Sequence, residues 1–128
     1  FLSAFAFSFL LEKFFKPPQN ILDSIVHHKN LLILLQICLL GPIIEEVIFR
    51  GVLYGKLASV LPPPLVNLTV STIFVFFHAE QYSFIELIDV LVISLILGYF
   101  RHRYDSLTIP IIFHISANSL YTALVLMT

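Results

Sequence analysis

The chain has 128 residues, 59% of them hydrophobic and only 12% charged, with a mean hydropathy of +0.97 and a formal net charge of -1. An ordinary soluble domain carries about 25% charged residues, so seven Lys and Arg with eight Asp and Glu cannot coat a water-facing surface. The composition is that of an integral, multi-pass membrane protein in a lipid bilayer, and its near-zero charge gives no sign of a nucleic-acid partner. Cys38 is the single cysteine, which excludes a disulfide within the chain; in its apolar run it reads as a small buried hydrophobe.

The chain opens on Phe1 and is apolar to Leu11, without the basic start or small-residue cleavage site of a signal peptide. Residues 1–29 therefore read as the end of a transmembrane helix whose upstream neighbours are missing, followed by a polar loop. Lys16-Pro17-Pro18 stops the helix, and His27-His28 lie solvated in the loop. From Asn30 the chain stays apolar to Leu61. As one helix this stretch would cover about 46 Å against a hydrocarbon core of about 30 Å, so it must tilt, kink or divide. Gly41-Pro42 is the natural break, because proline removes a backbone donor and crowds the preceding turn.

Gly51 and Gly55 have the spacing that lets membrane helices approach closely. Pro62-Pro63-Pro64 makes a rigid turn, and Leu65 to Ala79 follows as a span carrying Asn67, Thr69, Ser71, Thr72 and His78. After a short polar turn at 80–83, Phe84 to Phe100 forms the next span. Glu86 and Asp89 in its first turns fit interfacial solvation or a helix N-terminus, and Arg101-His102-Arg103 fits a headgroup interface. Ser106, Thr108 and Pro110 start a last helix running to about Met127.

The expected fold is an all-α polytopic transmembrane helix bundle of about five spans, the first partial, with residues 30–128 as a four-helix core. Its orientation is undecided, since Lys13, Lys16 and Lys29 balance Lys56, Arg101 and Arg103 across the membrane.

Within this apolar chain, Pro42-Ile43-Ile44-Glu45-Glu46-Val47-Ile48-Phe49-Arg50-Gly51 places two carboxylates and a guanidinium at membrane depth. Each such group costs roughly 2.5 to 3.5 kcal/mol even on lenient insertion scales and normally marks a working site. Glu46 and Arg50 stand four residues apart with the acid first, about 40° apart round a helix, and can pair; Glu45 lies about 140° from Arg50 and cannot. Glu46 is thus the structural acid and Glu45 the carboxylate left for chemistry.

Phe74 and His78 share one helix face, as do His114 and Asn118. One carboxylate and two imidazoles, Glu45, His78 and His114, are the ligand set of a catalytic zinc with a fourth position for water. The same groups also work without metal, Glu45 and His78 activating water while His114 and the Asn118 amide hold the oxyanion. An asparagine amide is a poor zinc ligand and a good oxyanion donor, which tilts towards the second version. Either way the chemistry is hydrolysis, because no Ser or Cys beside a histidine suggests a nucleophile and no glycine-rich loop suggests a phosphate site.

At these residues the chain resembles the family of type II CAAX prenyl proteases and bacteriocin-processing enzymes, which also holds abortive-infection-like membrane proteins. The family shows E-E-x-x-x-R, F-x-x-x-H and H-x-x-x-N on separate helices, and Glu45 to Arg50, Phe74 to His78 and His114 to Asn118 match them in order. The resemblance covers residues 30–128 and implies an intramembrane endopeptidase in which Glu45 and His78 activate water and His114 and Asn118 stabilise the oxyanion or assist a divalent metal, zinc above all. It implies a peptide or membrane-protein substrate and, for so small a chain, a bacterial cell membrane. The alternative it leaves open is a catalytically inactive protein of the same fold acting in bacteriocin immunity or as a scaffold.

Overall fold

The computed structural model describes Asp23 and residues 31–127, and every regular element among residues 31–127 is a helix. The expected terminal span before residue 23, its Lys16-Pro17-Pro18 stop and the histidines at 27 and 28 lie outside the described residues. Four helices follow one another: α1 (Leu31–Ala58), α2 (Pro63–His78), α3 (Phe84–Tyr104) and α4 (Thr108–Met127). Among them, α1 alone is long and apolar enough to cross a membrane by length and composition, while α2 is a shorter apolar helix.

α1 runs through Gly41-Pro42 without dividing, because the proline is accommodated by a widened turn. Gln36–Leu40 is π-helical, and the Gly41 N–H reaches back five residues to the Gln36 carbonyl. Widening the turn relieves the clash between the proline ring and the preceding turn that would otherwise kink the helix. A second π-helical stretch, Val47–Leu53, follows the glutamate pair and ends with the Tyr54 N–H on the Phe49 carbonyl. The acidic pair thus sits at the end of a six-residue α-helical segment, Gly41–Glu46, between two wide turns.

The buried positions of each helix recur at three- and four-residue steps: Pro42, Glu46, Phe49, Arg50 and Tyr54 on α1; Val66, Val70 and Phe74 on α2; Pro110, His114, Ala117 and Tyr121 on α4. That period places each set on one face. α2 lies along α3, α3 along α4, and the middle of α1 against α4. Phe49, Tyr54, Val66, Val70 and Phe74 form the core between α1 and α2, flanked by Leu53, Leu57, Leu61, Ile73 and Val90.

Helix ends follow local chemistry. Pro62 in extended conformation and Pro63 at the first turn start α2. Ser83 and Glu86 form a capping box on α3, the Ser83 N–H donating to Glu86 Oε2 at 2.8 Å. Glu86 is therefore the helix-start residue expected of it. Asp89 departs from expectation, being only 9% exposed rather than solvated at an interface. α3 ends on Asp105 in the left-handed region (φ 44°), whose carboxylate accepts from Arg101 Nη1 at 2.7 Å. Arg101 turns back to α1 with its Nε on the Arg50 carbonyl at 3.1 Å, so this member of the cationic cluster ties helices together.

The close helix approach occurs at Gly98, not at the glycines expected to provide it. Gly55 has nothing near it and Gly51 only an ordinary contact with Leu107, whereas a Cβ on Gly98 would run into the carboxamide of Asn67. That carboxamide cannot swing away freely, since its nitrogen donates to the Leu95 carbonyl at 3.0 Å and its oxygen accepts from Ser71 at 3.3 Å. Gly98→Ala should cost about 1–3 kcal/mol by overpacking, read as a lower thermal midpoint in detergent. Asn67→Ala should recover part of that loss in the double variant, and additive losses would show that the two positions do not press on each other.

Candidate active site

Two of the four charges of α1 neutralise each other in the interior. Glu46 and Arg50 are fully buried and pair through Oε1 and Nη1 at 3.0 Å. The guanidinium also donates from Nη2 to the Ser94 carbonyl at 2.8 Å and its hydroxyl at 2.6 Å, and it lies over the Phe74 ring at 4.8 Å. Ser94 on α3 was not singled out in the sequence. A lone serine in an apolar span gives no signal until the helix facing it is known.

Glu46 has a second partner from a different helix. Its Oε1 lies 2.9 Å from His114 Nδ1. A carboxylate only accepts, so Nδ1 carries a hydrogen, and Nε2 is left as the ring's second polar atom. That nitrogen lies 3.8 Å from Glu45 Oε2. The separation exceeds a hydrogen bond, yet one water beside the pair would reach both atoms. The Glu45 side chain is 34% exposed, so of the two adjacent carboxylates it is the one open to solvent. Glu46 does more than the scaffold role expected of it, since it also orients an imidazole.

His78 is fixed in the same manner. Its Nδ1 lies 2.8 Å from the Phe74 carbonyl one turn back, and because a carbonyl only accepts, Nδ1 carries a hydrogen and Nε2 is again left as the second polar atom. The Phe74 ring joins the parts: its centroid is 4.4 Å from that of His78, 6.3 Å from that of His114 and 4.9 Å from that of Phe49. The phenylalanine of the second motif is thus the aromatic wall shared by both histidines and by Arg50.

Asn118, one turn beyond His114, has its amide nitrogen on α1, donating to the Ile37 carbonyl at 3.0 Å. The structure therefore groups Glu45, Glu46, Arg50 and His114 by direct contact, adds His78 through Phe74, and engages Asn118 with backbone.

Tyr82 is the site residue that sequence reasoning passed over. It lies in the turn after α2, half-buried rather than solvated, with its ring 5.9 Å from that of His78. Burial, then the negative fields of Glu45 and Glu86, push its phenol up to about 12, so it keeps its proton and remains a hydrogen-bond donor across the physiological range. One signal was available: Phe74, His78 and Tyr82 continue a four-residue step along a single face.

The three residues expected as zinc ligands do not close into a ligand set in this arrangement. Glu45 and the His114 Nε2 supply two donors, but among the described residues no three His, Cys, Asp or Glu side chains stand close enough together to hold a metal ion.

Comparison with known proteins gives one match. The model of a family described as type II CAAX prenyl endopeptidase, Rce1-like, matches residues 27–120, which include all three motifs. No match is found among curated proteins or among solved structures.

Replacing Glu46 tests the buried network. Glu46→Gln keeps the shape but leaves Arg50 charged without a counter-ion in the interior, a loss of about 3–5 kcal/mol for a broken buried pair. Folded yield in detergent and the thermal midpoint should both fall, and an unchanged midpoint would mean that the pair does not hold the bundle.

Proposed function

The chain belongs to the Rce1-like type II CAAX prenyl endopeptidases, and from that premise we propose that it is an intramembrane endopeptidase, hydrolysing a peptide bond of a membrane-associated substrate with water activated by Glu45 and the paired histidines. The family is one of membrane-embedded proteases. The observation that carries the finer reading is the placement of Glu45 Oε2 opposite the Nε2 of His114, whose other nitrogen is held by the Arg50-neutralised carboxylate of Glu46.

A water donating to Glu45 is left with its lone pairs turned towards a substrate carbonyl. As the oxygen attacks, Glu45 takes its proton, the C–O bond forms and charge gathers on the carbonyl oxygen. The proton moves on to a histidine Nε2 and from there to the departing amine as the C–N bond breaks, so one water is consumed and no net proton is taken up. His114 is held for this relay by Glu46, and His78 by the Phe74 carbonyl. Donors for the oxyanion are a protonated imidazole and the Tyr82 hydroxyl, whose ring lies beside that of His78.

The four helices are proposed as membrane spans of a multi-pass protein of a bacterial cell membrane. Supporting this, α1 is long and apolar enough to cross. Each of the others also exposes large apolar side chains, such as Leu68 and Phe76 on α2, Ile88 and Ile96 on α3, and Ile112 and Leu120 on α4. Lipid is the solvent in which such faces are stable.

Hydrolysis of a peptide library in liposomes tests the activity. Glu45→Gln should fold and melt like the wild type, since its side chain is partly exposed, while losing at least the roughly 100-fold typical of a general base. His78→Ala should also lose turnover. Equal product from wild type and both variants would instead leave an inactive protein of the same fold, serving immunity or scaffolding. The metal-assisted version is separated by a lipid-permeable chelator: the metal-free reading expects an unchanged rate, and loss of turnover restored by zinc or cobalt would overturn it.

A further inference from the structure

The wide turn before the glutamate pair leaves one backbone group without a partner in its own helix. The Ile37 carbonyl can be reached only by the N–H of residue 41 in an α-helix or of residue 42 in a π-helix. Gly41 gives its N–H to Gln36, and position 42 is proline, which has none. Pro42 itself is fully buried, and the Ile37 carbonyl lies in a part-buried contact between α1 and α4. An unpaired carbonyl at membrane depth is costly. The group that reaches it is the amide of Asn118, at 3.0 Å from a different helix.

We propose that Asn118 is a positioning residue, its amide supplying the Ile37 carbonyl with the donor that Pro42 cannot give and thereby fixing α4 against α1 at the height where His114 meets Glu46 and Glu45. Two further contacts follow the same seam. The Cys38 thiol approaches Thr122 Oγ1 at 3.4 Å and the Asn118 carbonyl at 4.0 Å. Asn118 is one turn from His114, so anchoring it sets both the rotation and the height of the imidazole. The proline and the asparagine are then two halves of one device: the first opens a backbone acceptor on α1, and the second occupies it from α4.

The device predicts a suppressor. Alanine at position 42 returns an N–H to the chain and lets the turn close to α-register, in which the Gly41 N–H bonds Ile37. Asn118→Leu alone should lower the thermal midpoint by several degrees and reduce kcat by about 10- to 100-fold, the scale of a small misplacement of catalytic groups. Pro42→Ala in the Asn118→Leu background should restore the midpoint to that of Pro42→Ala alone and recover most of kcat. An Asn118 that acts only as an oxyanion donor behaves otherwise: kcat falls at an unchanged midpoint and Pro42→Ala recovers nothing, which overturns the proposal.

If Asn118→Leu does not accumulate, folded yield decides in the same way, recovery in the double variant supporting the coupling and no recovery ending it. The kinetic arm rests on the peptidase reading, whereas the melting arm does not. A protein with no hydrolytic activity whose midpoints still couple would lose the proposed function and keep this device.

Discussion

A single carboxylate oxygen, Glu46 Oε1, accepts from Arg50 on its own helix and from His114 on α4. The far side of the guanidinium is held by Ser94 on α3, and its face lies on Phe74 of α2. All four helices therefore meet at one ion pair that water does not reach. Burying two charges costs several kcal/mol each unless geometry and hydrogen bonds compensate, and here the compensation is spread over every element. The pairing also separates two adjacent glutamates into different surroundings: the one facing inward is paired with Arg50 and holds an imidazole, and the one beside it stays partly exposed.

The wide turns of α1 pose a related problem. The first leaves the Ile37 carbonyl outside the regular ladder, where Asn118 meets it, and within the second the Arg50 carbonyl accepts from Arg101. A backbone irregularity at membrane depth is tolerable when a packed neighbour completes it. In this bundle the irregularities are also the places where α1 is fastened to α4 and α3. Gly98 fastens α3 to α2 differently, by offering no side chain where the Asn67 carboxamide must lie.

Much of the site was legible because its parts repeat at helical spacing. The Glu46–Arg50 pair follows from a four-residue step alone, and so does the exclusion of Glu45 from it. The bond from His114 to Glu46 could not be read, because it depends on which face of α4 meets α1, and nothing local encodes that. Gly51 and Gly55 carry a close-packing spacing that goes unused, while the single Gly98 does that work, since spacing does not say which helix lies opposite. Gly41-Pro42 was legible as a disturbance but not as a widened turn, the outcome being set by packing that keeps α1 continuous. Arg101, placed by its charge at a headgroup surface, turns inward to the Arg50 carbonyl, a contact that depends on which helix lies opposite. The all-helical fold and the family were open to reading from hydropathy and the three motifs; the number of membrane crossings is a separate matter, since length and composition single out α1.

The two histidines are both tied down by Nδ1, one to a carboxylate and one to a carbonyl. In the neutral tautomer that these bonds select, Glu45 and both Nε2 atoms share one polarity of hydrogen bonding: all of them accept. Such a surface is complementary to groups that bring hydrogens with them, a water molecule or the N–H of a peptide. The Tyr82 phenol, which keeps its hydrogen across the physiological range, is then the complement placed beside them.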